Sequence, residues 1–326
     1  MIQAKWHSPL SIHQDIPAHI QEQLAQEALH WIGYDFRSGR QDASAHPFTI
    51  SLGHSDRRVT NRYQPRDLSF LFSALHEGGH GLYEQGTNPE LARTPLDTGV
   101  SLGIHESQSR LWENIIGRSK IFWHTHFPRV YEVLSPYIHN LTPEFWYAGI
   151  NHVQPSLIRT EADEVTYCLH IIIRFEIKRD LFEKKLEVKD VQEAWNQKYK
   201  QYLGVEVPND SQGVLQDIHW SYGNHGYFPT YAISTILSAQ IWQAYTQNQP
   251  DYQHHLAQGD TTMLKDWLTY QIYQHGSIFT PTELIQKITG KPLNHQAFIA
   301  YLQAISLFSI LLVYHDILIV YSSFVV

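Results

Sequence analysis

The sequence predicts a mainly α fold, and three observations predict it. Most segments longer than twelve residues carry apolar side chains at helical spacing, from IPAHIQEQLAQEALHWIGYDF near the start to stretches between Ile121 and Leu203 and between Tyr231 and Leu302. Of the 326 residues, 43% are hydrophobic, enough for a substantial core. Period-two alternation is confined to one place, HPFTISLGHSDRRVTNRY, where Phe48, Ile50 and Leu52 alternate with Thr49 and Ser51. A Gly-His-Ser-Asp turn follows and Arg58, Val59 and Thr60 resume an extended run, so this stretch reads as one small β-hairpin.

The helix after the hairpin carries the chemistry. Arg66-Asp67 offers an N-cap and an acidic first turn, Leu68, Leu71, Phe72 and Leu75 give a buried face, and Gly86 can close the element. Within it, SALHEGGHGLYEQG places His76 and His80 four residues apart. At roughly 100° per residue they are offset by only about 40°, so both imidazoles leave one face, one turn apart. Two such ligands suit a tetrahedral Zn²⁺, with Glu77 displaced to the side where its carboxylate reaches a water rather than the metal.

A chain with 21 histidines makes a chance match credible, so the third ligand matters. The three-histidine version of the motif is excluded, because it needs Gly at 83 and His at 86, where Tyr83 and Gly86 stand. A glutamate from a second helix is the other solution, and GVSLGIHESQSRLWENIIGRS offers Glu106 and Glu113. Glu84 follows His80 on the same helix and would crowd the site, and Glu90 lies in the Asn88-Pro89 loop; Glu106 is the choice.

Charge and composition narrow the class further. A net charge of −8, without a long basic run, gives no reason to expect nucleic acid. The one cysteine, Cys168, has no internal disulfide partner, and MIQAKWHSPL contains no apolar signal core, so a cytoplasmic protein is expected. After Gln303 the chain runs AISLFSILLVYHDILIVYSSFVV. Asp316 and His315 in its middle argue against a membrane span, and 304–326 reads as an apolar tail apart from a helical catalytic region at 1–303.

Six ordered motifs, HPF (46–48), DRRVT (56–60), HEGGH (76–80), HESQS (105–109), IRTEAD (158–163) and GVLQDIHW (213–220), resemble the thermostable, carboxypeptidase Taq type family of zinc carboxypeptidases, as does GYFPTY (226–231). The resemblance spans about Trp31 to Gln303. It implies a helical fold with a long groove, one divalent metal per chain, Zn²⁺ with Co²⁺ or another ion able to substitute, a homodimer, and a peptide substrate with a free C-terminus cleaved with broad specificity. By motif position His76, His80 and Glu106 are its metal ligands and Glu77 its catalytic carboxylate, as the residues themselves suggest.

The same resemblance makes Arg159 the reader of the substrate's α-carboxylate, which a planar guanidinium binds with paired hydrogen bonds; Arg58 and Arg62 of the hairpin are alternatives. His219 and Tyr227 are candidates for stabilising the oxyanion, against a purely packing role. Asp163 and Glu164 could orient a ligand histidine, and His105 could too, although an ordinary satisfied histidine is its default. Family members are longer, and only about 45 residues precede the HPF motif here, so the far wall of the groove is expected to be missing. Two other functions compete: a catalytically dead remnant acting as a binding or dimerisation module, and an aminopeptidase or endopeptidase with the same ligands.

Overall fold

The described residues, 10–306 of a computed structural model, contain twelve α-helices and three short strands, in agreement with the mainly α expectation. They form two compact units, residues 10–150 with 234–298, and residues 151–233 with 299–306. The apolar tail expected at 304–326 lies outside the described residues from 307 onward. Among the described residues no helix is long and apolar enough to cross a membrane.

The larger unit is built around α2 (Ser69–Gln85), which touches α1 (Ala18–Trp31), α3 (Leu102–Arg110) and the sheet. A helix so surrounded must be buried nearly all round, and Phe70, Leu71, Phe72, Leu75, Leu82 and Tyr83 all are. Asp67 starts it from one residue further out than a true N-cap: Leu68 holds the cap position without a side-chain bond, and Asp67 Oδ1 accepts the Ser69 N–H at 2.8 Å. Gly86 ends the helix, but with φ −85° and not a left-handed turn. Its lack of a side chain serves packing, because a Cβ there would lie 2.7 Å from Cβ of Tyr273.

α3 begins at Ser101, whose side chain accepts the Ile104 N–H, and runs straight into a wider π-helical turn, Leu111–Ile116. Next come α4 (Lys120–Leu134) and α5 (Pro143–Ile150). This unit also holds most of α8 (Phe228–Asn248), then α9 (Tyr252–Ala257), α10 (Thr262–Gln271), α11 (Pro281–Thr289) and the start of α12 (Gln296–Ser306). Large side chains such as Trp112, Phe122 and Trp146 fill the core.

The expected hairpin is present as β2 (Thr49–Gly53) antiparallel to β3 (Asp56–Asn61), and a further strand, β1 (Gly39–Ala43), pairs parallel to β3 to give the order β1-β3-β2. β1 has no apolar alternation to announce it, since its sequence is GRQDA. The faces of β2 are inverted relative to an ordinary half-buried strand. Phe48, just before it, and Ile50 and Leu52 within it are 46%, 45% and 58% exposed, whereas Thr49 and Ser51 turn toward α2 and donate hydrogen bonds to Glu77 and Glu84.

In the smaller unit α6 (Tyr167–Phe182) packs against α7 (Val191–Leu203), which buries Trp195, Tyr199 and Leu203 and closes on Gly204 in the left-handed conformation, φ 68°. Asp163 shapes the turn ahead of α6 by accepting the N–H groups of Val165 and Thr166, both at 2.9 Å.

Candidate metal centre

α2 and α3 approach closely enough for one cation to bridge them, and the glycines between the histidines explain why. A Cβ on Gly79 would sit 2.7 Å from the carbonyl oxygen of Gln108 and 2.8 Å from Cα of Ser109, so only glycine lets α3 come this near. Gly78 opens the other side toward α1, where a Cβ would meet Ile32 and Leu29 side-chain atoms at 2.6 and 2.7 Å. With the backbones in contact, Glu106 Oε2 stands 3.6 Å from His76 Nε2 and 3.2 Å from His80 Nε2. One donor atom from each of His76, His80 and Glu106 lies within 4.8 Å of the others, a set able to hold a metal ion.

The remaining ring nitrogens are held from behind. Glu113 Oε2 lies 2.8 Å from His76 Nδ1, and His105 Nδ1 lies 2.6 Å from His80 Nδ1. His105 in turn meets Glu84 Oε1 through Nε2 at 2.7 Å. Glu84 and Glu113, both weighed as third ligands from sequence, are thus engaged with the outward nitrogens of the rings, directly for His76 and through His105 for His80. Such outer contacts fix the tautomer that turns Nε2 toward a metal. Glu113 sits in the π-helical turn, and Arg110 reaches both acidic groups, Glu106 Oε1 at 3.1 Å and Glu113 Oε2 at 3.5 Å. Glu77 is buried beside the ligands, and the Thr49 hydroxyl donates to its Oε2 at 2.7 Å.

The electrostatics call for a cation. Burial alone would depress His76, but the carboxylates of Glu106 and Glu113 outweigh it and push its pKa up to about 10. Burial works against ionising Glu106 and Glu113 as well. The neighbouring His76, His80 and Arg110 overcome it, leaving Glu106 well below the usual carboxylate range and Glu113 at about 2. His80 is lowered by burial. Two buried, ionised carboxylates, Glu106 at the inner nitrogens and Glu113 at the outward Nδ1 of His76, therefore draw positive charge to the pair of rings, and a divalent ion beside Glu106 would compete with the His76 proton. Two imidazoles and one carboxylate, each backed by a second hydrogen-bonding group, form a donor set suited to Zn²⁺ or a similar ion.

The other sequence candidates have partners of their own. Arg58 is partly exposed and forks onto Asp56 with two 2.8 Å hydrogen bonds. In the smaller unit Arg159 is buried against Asp217 at 2.9 Å, His219 Nε2 is 3.3 Å from the Tyr231 hydroxyl, and the rings of His219 and Tyr227 are 5.5 Å apart. Asp163 accepts the Val165 and Thr166 N–H groups in the turn before α6, and Glu164 accepts from the Tyr301 hydroxyl at 3.0 Å. Arg174 and Asp217 were missed from sequence. A signal existed, since the arginine in IIIRF interrupts an apolar run on a helix and must find an acid if that helix is buried.

An H-E-x-x-H helix whose two histidines meet a glutamate from the next helix, in a mainly helical fold, is the framework of a metallopeptidase. The chain belongs to the carboxypeptidase Taq (M32) metallopeptidase family, whose sequence profile matches residues 2–306. It is 42% identical over 293 residues to thermostable carboxypeptidase 1 of Thermus thermophilus, covering 90% of this chain and 57% of that protein. To carboxypeptidase 1 of Bacillus subtilis it is 40% identical over 292 residues, 89% of this chain and 58% of the relative. The crystal structure of the M32 carboxypeptidase from Deinococcus radiodurans superposes with a TM-score of 0.88 at 41% identity, over 91% of this chain and 61% of that one. The chain therefore spans somewhat more than half the length of the relatives it matches.

Proposed function

We propose that this chain is a zinc-dependent carboxypeptidase that hydrolyses the last peptide bond of peptides with broad side-chain specificity, with residues 1–303 as its catalytic region. The observation that carries the reading is the convergence of His76, His80 and Glu106 from two touching helices, with Glu77 buried next to the first ligand. A divalent ion held by those three residues supplies Lewis-acid polarisation of a carbonyl oxygen and acidifies water toward a pKa of about 7.

The chain's own residues do the rest. Glu77 takes a proton from the attacking water and returns it to the leaving amine, and the Thr49 hydroxyl, 2.7 Å from its Oε2, holds that carboxylate in one rotamer. Glu113 and His105 keep the ligand rings oriented. Arg159 binds the terminal carboxylate of the peptide, with Arg58 the alternative, and His219 and Tyr227 donate to the developing oxyanion. By family likeness the enzyme acts as a homodimer in the cytoplasm on peptides with a free C-terminus.

The test is hydrolysis of a blocked dipeptide by the metal-loaded protein and by Glu77→Gln, with the C-terminally amidated peptide as control. The expected result is cleavage of the free acid, none of the amide, and a loss of about 10²–10⁴-fold in kcat for Glu77→Gln. Equal rates for the two proteins end the assignment of Glu77. Cleavage of the amide points to an endopeptidase or aminopeptidase, and stoichiometric metal without hydrolysis points to a binding module.

A further inference from the structure

The smaller unit buries two guanidiniums against one carboxylate, and it uses the two arginines unequally. Arg174, fully buried, spends all three nitrogens: Nε donates to Asp217 Oδ2 at 2.6 Å, Nη1 to the His170 carbonyl at 2.8 Å and the Tyr199 hydroxyl at 3.3 Å, and Nη2 to Gln216 Oε1 at 2.9 Å. Its guanidinium carbon also lies 4.6 Å from the ring centre of Trp195. Arg159 is nearly as buried, with 7% of its side chain exposed, yet only half used. Nε donates to Asp217 Oδ1 at 2.9 Å and Nη1 to the Tyr167 hydroxyl at 3.2 Å, while the guanidinium carbon sits 4.9 Å over the Tyr231 ring. Its Nη2 makes no hydrogen bond among the described residues.

Gln216 locks the arrangement, because its Oε1 accepts both the Arg159 backbone N–H and Arg174 Nη2, each at 2.9 Å. His219 adds a further titratable group, with Nδ1 3.9 Å from Asp217 Oδ1. A buried cluster with two positive charges and one negative one is short of an anion. Unpaired guanidinium nitrogens in such a place bind a carboxylate through planar, charge-assisted hydrogen bonds.

We propose that Arg174 is a positioning residue for a carboxylate-binding site at Arg159: by gripping Oδ2 of Asp217 it stops that carboxylate from closing as a fork on Arg159, so that Nη2 stays available to the terminal carboxylate of a peptide. The proposal rests on the carboxypeptidase reading and deepens it. It gives the adjacent Gln and Asp of GVLQDIHW a physical purpose, since one aligns the backbone of Arg159 with Arg174 and the other shares its oxygens between the two side chains.

The experiment measures calorimetric binding of N-acetyl-L-phenylalanine and of its amide to the full chain, to Arg174→Met and to the double variant Arg174→Met with Asp217→Asn, alongside KM and kcat for the blocked dipeptide. The parent is expected to prefer the acid. Arg174→Met is expected to weaken acid binding by about tenfold or more, with amide binding unchanged and KM raised more than kcat is lowered. The double variant should regain much of the acid affinity, because the carboxylate that quenches Arg159 has gone; a role in packing alone predicts no such rescue. If Arg174→Met does not fold, Arg174→Lys, which keeps the charge and loses the fork, should show the same selective loss for the acid. An acid-to-amide ratio unmoved in every folded Arg174 variant, or a double variant no better than the single, overturns the proposal. Arg174-dependent acid binding without hydrolysis would sink the activity and leave this site standing, and hydrolysis with a ratio indifferent to Arg174 would do the reverse.

Discussion

His80 and His105 meet nitrogen to nitrogen, with their Nδ1 atoms 2.6 Å apart. Only one of the two can carry the shared hydrogen. If His80 offers the lone pair of Nε2 to a cation beside Glu106, its Nδ1 holds the proton, His105 Nδ1 accepts it, and His105 Nε2–H must point at Glu84. Glu84 suits that role: burial works against its ionisation, but His105 and Ser51 more than offset it and lower its pKa. Replacing His105 by Ala removes the acceptor that selects the tautomer. Zinc affinity measured by chelator competition should fall by roughly 10–100-fold. An unchanged affinity in a folded variant would mean that His105 only fills space.

The approach of α2 to α3 leads to a second expectation. Gly79→Ala pushes a methyl group into backbone at Gln108 and Ser109, which cannot yield as a side chain does, so stability should fall by about 1–3 kcal/mol and metal affinity with it. Gly78→Ala meets only the ends of Ile32 and Leu29, and should cost less stability and leave metal affinity nearly intact. Paired denaturation and metal titration separate the two, and equal effects would refute the helix-spacing argument.

Metal uptake should release a proton. With the His76 pKa near 10, the ring is charged at pH 7 in the metal-free protein, and coordination needs it neutral. Affinity should therefore rise about tenfold per pH unit below pH 10, where His76 is the group displaced. Calorimetry in buffers of different ionisation enthalpy counts the proton, and a buffer-independent heat would contradict the assignment.

His126 sets an acid limit on stability. Packed on Trp31 with ring centres 4.4 Å apart, it is desolvated to a pKa of about 4. An unfolded histidine titrates near 6.5, so between those values the unfolded state binds more protons and stability rises with pH. The group costs nothing above about pH 6.5, and its burden grows to the order of 3 kcal/mol as pH falls through 4. Urea denaturation of the parent and of His126→Phe across pH 4–7 should give slopes that differ in this sense. Parallel profiles would remove His126 as the cause.

That His76, His80 and Glu106 come together as a candidate metal-binding set was legible because it depends on local spacing: His76, Glu77 and His80 share one helix, and Glu106 is the acid best separated from them on the next. The outer set was not, since whether Glu84 and Glu113 coordinate or stand behind depends on helix rotation and on a π turn that the sequence does not signal. The hairpin was readable from its period, but its polar face turned inward because the neighbour is a helix lined with Glu77 and Glu84 rather than an oily one. β1 went unnoticed because five residues with a single buried side chain, Gln41, leave no pattern. The cluster around Asp217 joins residues up to 58 positions apart, which no local rule connects.

The π turn at Leu111–Ile116 makes the distance between Glu113 and His76 a matter of residue count. Such a turn holds an additional residue relative to ordinary helical pitch, so excising a single amino acid from it would let the coil close to that pitch and change which side chain stands where Glu113 now does. Threading or redesigning this stretch on a uniform helical template would therefore aim the carboxylate at position 113 away from its imidazole while appearing, on paper, to have altered nothing but a loop's worth of length.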